Sequence, residues 1–164
     1  MIDKSFNKNK PQTSPDYIRF QQALDSKDDT AFATALQSAD VNAQDKEGRT
    51  PLMYAIITGQ TDKADQLIEA GADIHKQTDM GRTAFMLAAA HCHHGLVDKL
   101  AEKGANIRHE DQRGQKAIDI LKSKAEQSRE QKYYDMITKV AELDAAKMSQ
   151  HPNAGRSPAT SPRR

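Results

Sequence analysis

Three glycines recur at a fixed interval, and this interval constrains the fold more than any other feature of the sequence. Gly48, Gly81 and Gly114 lie 33 residues apart. The residues around them repeat as well, since EGRTPLMYA at 47–55 is followed by MGRTAFMLA at 80–88. A fixed period over three copies is typical of stacked structural units and argues against a split active site. The sequence therefore predicts similar units that pack side by side.

Each unit has the pattern of two short helices joined by a turn. In the run TPLMYAIITG, Thr50 suits the N-cap of a helix and Gly59 suits its C-terminal end. A second helix is predicted over 62–70, with Asp62 as its cap and Gly71 at its end. Neither helix is long enough to be stable alone, so each pair must bury its apolar side against the next copy.

The pattern of the units resembles the ankyrin repeat, whose signature contains T-P-L-H-x-A and ends in G-A-D-V-N. Here the signature reads TPLMYA with GADIH, then TAFMLA with GANIR, and the resemblance covers roughly residues 40–125. It implies an all-α ankyrin-repeat solenoid of about four stacked helix-turn-helix units. The segments DKEG and TDMG are predicted to form the turns between successive pairs, with glycine where the backbone needs positive φ.

The two ends of the predicted stack depart from the repeat. A degenerate first unit opens at Ser14, its second helix begins at Asp28 or Asp29, and a longer capping helix over 129–147 closes the stack. The flanking segments are basic, rich in Pro, Ser and Asn and poor in large apolar residues, so we expect them to be disordered. The predicted division is a tail at 1–13, a repeat domain at 14–148 with units at 14–44, 45–77, 78–110 and 111–148, and a tail at 149–164.

Two departures from the ankyrin signature affect individual positions. Met53 and Met86 occupy the place of the signature histidine, and Asp119 occupies it in the next copy, so stability must depend on apolar packing there. Cys92 takes the place of Gly59 in the repeat register. The end of that helix is therefore left open, with Gly95 as an alternative turn residue.

The segment HCHHG is the one stretch that suggests chemistry. His91, Cys92, His93 and His94 are zinc-ligand types, but a tetrahedral site needs side chains that converge on one point. Consecutive residues at a helix end point in different directions, and no pair among them has the i, i+4 spacing of helical ligands. We therefore expect His93 to fill the position after the inter-helix turn, where the family often has histidine. Metal binding stays as an alternative, and we predict no cofactor.

Composition and motifs exclude several other functional classes. The sequence has no glycine-rich phosphate loop, no G-x-S-x-G and one cysteine, Cys92, so we predict a non-enzyme without an internal disulfide. No apolar run is long enough for a membrane span, which leads us to expect a cytosolic protein. The C-terminal RSPATSPRR supports weak electrostatic contacts and not specific nucleic-acid recognition.

The resemblance implies that a protein partner docks on the turn tips and on the inner faces of the first helices. Counted residue by residue, these positions are Lys46, Glu47, Arg49, Tyr54, Thr58, Asp79, Met80, Arg82, Leu87, His91, Gln112, Arg113 and Gln115, followed by Ile120 and Lys124. Arg49 and Arg82 recur although the turn does not require a long cation, which suggests a partner with an acidic surface. Tyr54 and Leu87 have an equally plausible role in packing between units.

Three functions follow as hypotheses. The leading one is a monomeric, non-catalytic adaptor or inhibitor that binds a protein partner, similar to small stand-alone ankyrin proteins of the bacterial cytosol. The second is an effector delivered into a host cell, with the basic C-terminus as its secretion signal. The third is a metal- or redox-responsive module centred on His91, Cys92, His93 and His94.

Overall fold

Helices account for almost all regular structure in the computed structural model, which describes residues 12–150. Within that range the eight helices are α1 Pro15–Ser26, α2 Asp29–Ser38, α3 Pro51–Ile57, α4 Thr61–Glu69, α5 Ala84–Ala90, α6 His94–Glu102, α7 Ala117–Ser128 and α8 Gln131–Gln150. Each odd-numbered helix packs against the helix that follows it and against the next odd-numbered helix. The prediction of an all-α helical repeat stack is confirmed.

Side chains cap several helices at the predicted places. The Thr50 hydroxyl accepts a hydrogen bond from the Met53 N–H at 3.3 Å, and Asp28 caps α2 through the N–H groups of Thr30 and Ala31. The prediction that Asp62 caps α4 was wrong. The N-cap of α4 is Gln60, and Asp62 lies in the first turn, where its negative charge still interacts favourably with the helix dipole.

The turn between α5 and α6 keeps its geometry although cysteine replaces glycine. Cys92 has φ +59°, in the same left-handed region as Gly59 at +75°. Its amide donates to the Ala89 carbonyl at 2.9 Å, as the Gly59 amide donates to Ile56 at 3.2 Å. The alternative turn residue Gly95 lies inside α6. Cys92 therefore takes the place of the turn glycine.

Methionine side chains fill the positions of the signature histidine. Met53 is fully buried and Met86 almost so, and both belong to one continuous core with Leu52 and Phe85. The prediction that apolar packing replaces a histidine network is confirmed at these two positions. Asp119 has a different role, because its carboxylate accepts the Lys116 N–H at 3.0 Å at the start of α7.

At the exposed end of the stack, the first unit has polar side chains at positions where the next unit has apolar ones. Arg19 and Gln22 on α1 and Thr34 on α2 are exposed. The residues that occupy the same places 33 positions later are buried: Leu52, Ala55 and Leu67. Because a preceding unit buries these places in the middle of the stack, polar residues at the first unit make that end compatible with water.

The last helix begins and ends later than the sequence predicted. Residue 129 is the left-handed C-cap of α7, and α8 runs over Gln131–Gln150 instead of 129–147. Its last turns are held to the loop before α7, because Lys147 donates to the Ala105 carbonyl at 2.6 Å and Arg108 pairs with Asp144 at 2.6 Å. The predicted tail over 149–164 therefore overlaps this helix at its first two residues.

Most of both predicted tails lies outside the described residues, at 1–11 and 151–164. Thr13, which was assigned to the N-terminal tail, belongs to the folded part. Its hydroxyl accepts the Lys46 N–H at 3.3 Å, and the neighbouring Ser14 N–H donates to the Gln44 carbonyl at 3.0 Å. The segment before α1 is thus fastened to the first turn tip. No helix among the described residues is long and apolar enough to cross a membrane.

Candidate protein-binding surface

Three turn tips precede α3, α5 and α7, and backbone hydrogen bonds join them. The Asp79 N–H donates to the Glu47 carbonyl at 2.9 Å, and the Gln112 N–H donates to the Met80 carbonyl at 3.0 Å. The tip glycines have the predicted positive φ, between +70° and +74°. Bonds between successive tips position the side chains of separate units along one continuous edge.

One side chain at the base of each tip organises the turn, and this side chain is buried in the first and third tips. Asp45 Oδ1 accepts the N–H groups two and four residues further on, at 2.9 and 2.8 Å. Asp111 Oδ1 does the same in the third tip, at 2.9 and 3.0 Å. In the second tip Thr78 takes this position, and its hydroxyl accepts the Arg82 N–H at 3.2 Å. Local side-chain to backbone bonds of this kind stabilise turns.

The two recurring arginines are part of this turn structure. Arg49 Nε donates to Asp45 Oδ2 at 2.7 Å and its Nη1 lies 3.3 Å from Glu47 Oε2. Arg82 Nε lies 3.7 Å from Oδ2 of Asp111, whose side chain is fully buried. The interpretation that the turn does not need these cations was wrong, because each arginine offsets the charge of a buried carboxylate. They give no argument for an acidic partner.

The electrostatics of these carboxylates reflect the same contacts. Burial by itself raises the pKa of Asp45, but hydrogen bonds from the Arg49 backbone and guanidinium outweigh it and hold the pKa below its ordinary value. For Asp111 burial is likewise outweighed by the Gln115 and Arg113 N–H groups and by Arg82. Both carboxylates are therefore charged at neutral pH in the folded protein.

The outward-facing part of the tips remains available to a partner. We define the tip row as its six exposed side chains, which are Lys46, Glu47, Asp79, Met80, Gln112 and Arg113. Met80 is 40% exposed and is one of four large hydrophobic side chains that are exposed in the described part of the chain. Gln115 is half-buried at the end of the third tip. An exposed methionine at the centre of a polar row is suited to protein contacts.

The inner faces of the first helices carry a second set of predicted residues. Tyr54 is half-buried, and its hydroxyl donates to Asp25 Oδ1 at 2.6 Å. Leu87 is only 8% exposed and belongs to the core, so packing between units is its role and its place among the binding residues was wrong. Ile120 is buried in the same manner. Thr58 and His91, one turn further on, are exposed.

Two residues of this surface were missed by the sequence analysis. Gln21 and Asp25 lie 33 residues before Tyr54 and Thr58, on α1, and Asp25 binds the Tyr54 hydroxyl. The repeat period extended backwards into the degenerate first unit would have found both. The inner surface therefore extends over four units.

The HCHH segment does not bring its side chains to one point. His93 Nε2 lies 2.9 Å from the Ile56 carbonyl, and the Cys92 thiol lies 3.7 Å from the Lys132 carbonyl. His94 is exposed at the first position of α6. Between residues 12 and 150 there is no group of three His, Cys, Asp or Glu side chains that could hold a metal ion. The metal-responsive hypothesis gains no support from this arrangement.

The opposite side of the stack is chemically different. Lysines on the even-numbered helices pair with acids on the preceding even-numbered helix: Lys63 with Asp29, Lys99 with Asp65 at 3.2 Å, and Lys139 with Asp98 at 2.8 Å. These charges are already partnered within the molecule.

This arrangement of paired helices, glycine tips and a polar first unit defines a helical repeat protein. A family profile for ankyrin repeats in three copies matches residues 20–111, more than half of the chain. The chain belongs to the ankyrin repeat family. Ankyrin repeats are protein–protein interaction modules, so a protein is the expected type of partner. No curated protein sequence matches the chain.

Proposed function

We propose that the protein is a non-catalytic binding module, an adaptor or inhibitor that acts as a monomer. Its partner docks across the tip row and the inner faces of α1, α3, α5 and α7. Binding would tether the partner or cover one of its surfaces. The protein supplies no reacting group in this proposal, and recognition alone carries its effect.

The observation that supports the proposal most strongly is the bonding between tips. Because Glu47 and Met80 are joined to the next tip through backbone hydrogen bonds of 2.9 and 3.0 Å, the tip row is preorganised. A preorganised surface loses little conformational entropy on binding. Met80 provides apolar area at its centre, and Lys46 and Arg113 provide charge at its two ends.

Site-specific photo-cross-linking tests the docking surface. A benzophenone amino acid is placed at position 80 in the tip row, and in a matched protein at position 102, an exposed glutamate at the end of α6. Both proteins are irradiated in an extract of the source cell, and the cross-linked products are identified by mass spectrometry. We expect a specific protein product from position 80 only.

Competition provides the control for this experiment. Excess unlabelled parent protein should suppress the product from position 80, because a specific partner is present in limited amount. If position 102 captures the same protein as efficiently, or if competitor has no effect, the partner does not dock on the tip row and the proposal fails.

A further inference from the structure

A row of four polar residues crosses the inner surface one turn beyond Tyr54. These residues, the polar inner row, lie 33 positions apart and are Asp25, Thr58, His91 and Lys124. The row changes from acidic on α1 to basic on α7. The Asp25 carboxylate accepts a hydrogen bond from the Tyr54 hydroxyl at 2.6 Å. Between residues 12 and 150, neither His91 nor Lys124 has a comparable hydrogen-bonding partner.

Lys124 has no carboxylate within salt-bridge distance among the described residues. Its ammonium lies 5.7 Å from the centre of the Tyr133 ring, and the ammonium of Lys132 lies 5.0 Å from the same ring. Lys132 is paired with Glu130 at 2.5 Å. Lys124 is therefore the unpaired cation of this cluster.

His91 stands one unit before Lys124 in the polar inner row, at the C-terminal end of α5, the helix that packs against α7. The rings of His91 and His93 are stacked, 6.0 Å apart and within 8° of parallel. A carbonyl oxygen only accepts, so His93 must donate Nε2–H to Ile56, which fixes its tautomer. Neither ring nitrogen of His91 is hydrogen-bonded to a residue in the described range. His91 thus retains full capacity to bind a ligand.

Glu130, the acid of this cluster, is paired with Lys132 and makes no ion pair with Lys124. Partial burial of the ring lowers the pKa of His91, and the charges of Lys124 and His93 lower it further. No acidic group contributes to this shift. An anion placed between His91 and Lys124 would remove the repulsion and stabilise the protonated imidazole.

We propose that the basic end of the polar inner row binds a phosphomonoester on the protein partner, with the phosphoryl oxygens between His91 and Lys124. A carboxylate can neutralise Lys124 alone, whereas a phosphomonoester dianion also matches a protonated His91. Its second pKa, about 6, is close to that of imidazole, so one proton is readily shared between them. The proposal rests on the proposed function for the identity of the carrier, but the site itself is tested with small anions.

The test is an NMR titration of the full chain at pH 6.5 and constant ionic strength. The ring protons of the histidines are followed with N-acetyl-phosphoserine amide, inorganic phosphate or acetate. We expect saturable shifts of the His91 and His93 ring protons with both phosphates. Acetate should bind with an affinity at least tenfold lower. His75 and His109, on other parts of the surface, serve as internal controls.

Substitutions at two lysines of α7 locate the site. Lys124→Gln should weaken phosphate binding about tenfold or more, since a charge-assisted contact is lost. Lys124→Arg should restore it. Lys122→Gln is the matched control, because Lys122 is exposed on the same helix and lies outside the polar inner row. Melting temperatures show whether each variant is folded.

Three results would overturn the site. These are equal affinity for acetate and phosphate, saturable binding that Lys124→Gln leaves unchanged, and shifts that are linear in phosphate concentration. None of them bears on cross-linking from position 80, so failure of the anion site is distinguishable from failure of the docking surface.

Discussion

Arg82 in the second turn tip lies 3.7 Å from Asp111 at the base of the third, measured from Nε to Oδ2. Arg49 makes the corresponding contact within its own tip, at 2.7 Å from Asp45. Thr78 explains the difference, because it stands where the other tips have aspartate and offers no charge. The guanidinium of Arg82 therefore pairs across the unit boundary and connects two tips.

Substitutions of Asp111 should separate the two roles of its carboxylate. Asp111→Ala should lower the free energy of unfolding by about 2 kcal/mol or more, since two N–H groups lose their acceptor and Arg82 loses its ion-pair partner. Asp111→Asn should cost less, because an amide oxygen still accepts both N–H groups. Asp79→Ala, at an exposed tip carboxylate, should stay within about 0.5 kcal/mol. Equal losses for Ala and Asn in urea denaturation would contradict this account.

Two tip glycines with nearly equal φ provide a test of contact between tips. A Cβ at Gly81 would lie 2.9 Å from the Gln112 backbone nitrogen, whereas a Cβ at Gly114 would meet nothing within 4 Å. Gly114→Ala should cost about 1 kcal/mol from left-handed backbone strain alone. Gly81→Ala should cost clearly more, since the third tip must move. Identical denaturation midpoints for the two variants would mean that the tips do not touch.

Stability should depend on the protonation of His91 between pH 7.5 and 5. Its pKa in the folded state is lowered by burial and by Lys124 and His93. The unfolded chain therefore binds a proton more readily, and stability falls as the pH drops through the ordinary imidazole range. His91→Gln should lose less stability than the parent over this interval. If the urea midpoints of the parent and of His91→Gln change with pH in parallel, the predicted linkage is ruled out.

The hydrogen bond from His93 should be replaceable by glutamine. Gln60 holds the same place in the preceding unit, and its side chain donates to the Leu24 carbonyl at 3.0 Å. His93→Ala should cost about 1 kcal/mol, because the Ile56 carbonyl loses a donor, while His93→Gln should recover most of the loss. His94→Ala, at an exposed neighbour, should be neutral. The measurement is the melting temperature at pH 8. If the hydrogen bond has no role, the glutamine variant will be as unstable as the alanine variant.

The fold was predictable because the repeat period and the local rules agree. The glycine spacing predicted the repeat units, and Thr50 and Asp28 predicted where two helices start. Met53 and Met86 indicated apolar packing. Asp62 was misjudged because acidic residues favour both the N-cap and the first turn, and sequence alone does not separate these places. The end of α8 depends on Arg108 and Lys147, whose contacts join distant parts of the chain.

The candidate surface was predictable in position and less so in chemistry. The register located the tips and inner faces, and Met80, Thr58 and His91 are exposed there. It did not show that the two arginines neutralise buried carboxylates or that Leu87 is in the core, since those roles depend on contacts across unit boundaries. A variant with alanine at Arg49, Arg82 and Leu87 would therefore lose stability along with binding.

The dissociation constant of the cross-linked partner, measured by calorimetry with matched surface variants, tests the central claim most directly. One variant replaces Thr58, Met80 and Arg113 on the inner side, and the other replaces Asp62, Gln66 and Glu102 on the outer helices; all six are exposed and become alanine. The account predicts that the inner variant binds about thirtyfold more weakly, roughly 2 kcal/mol, while the outer variant binds like the parent. An inner variant that is folded and binds as tightly as the parent would contradict it.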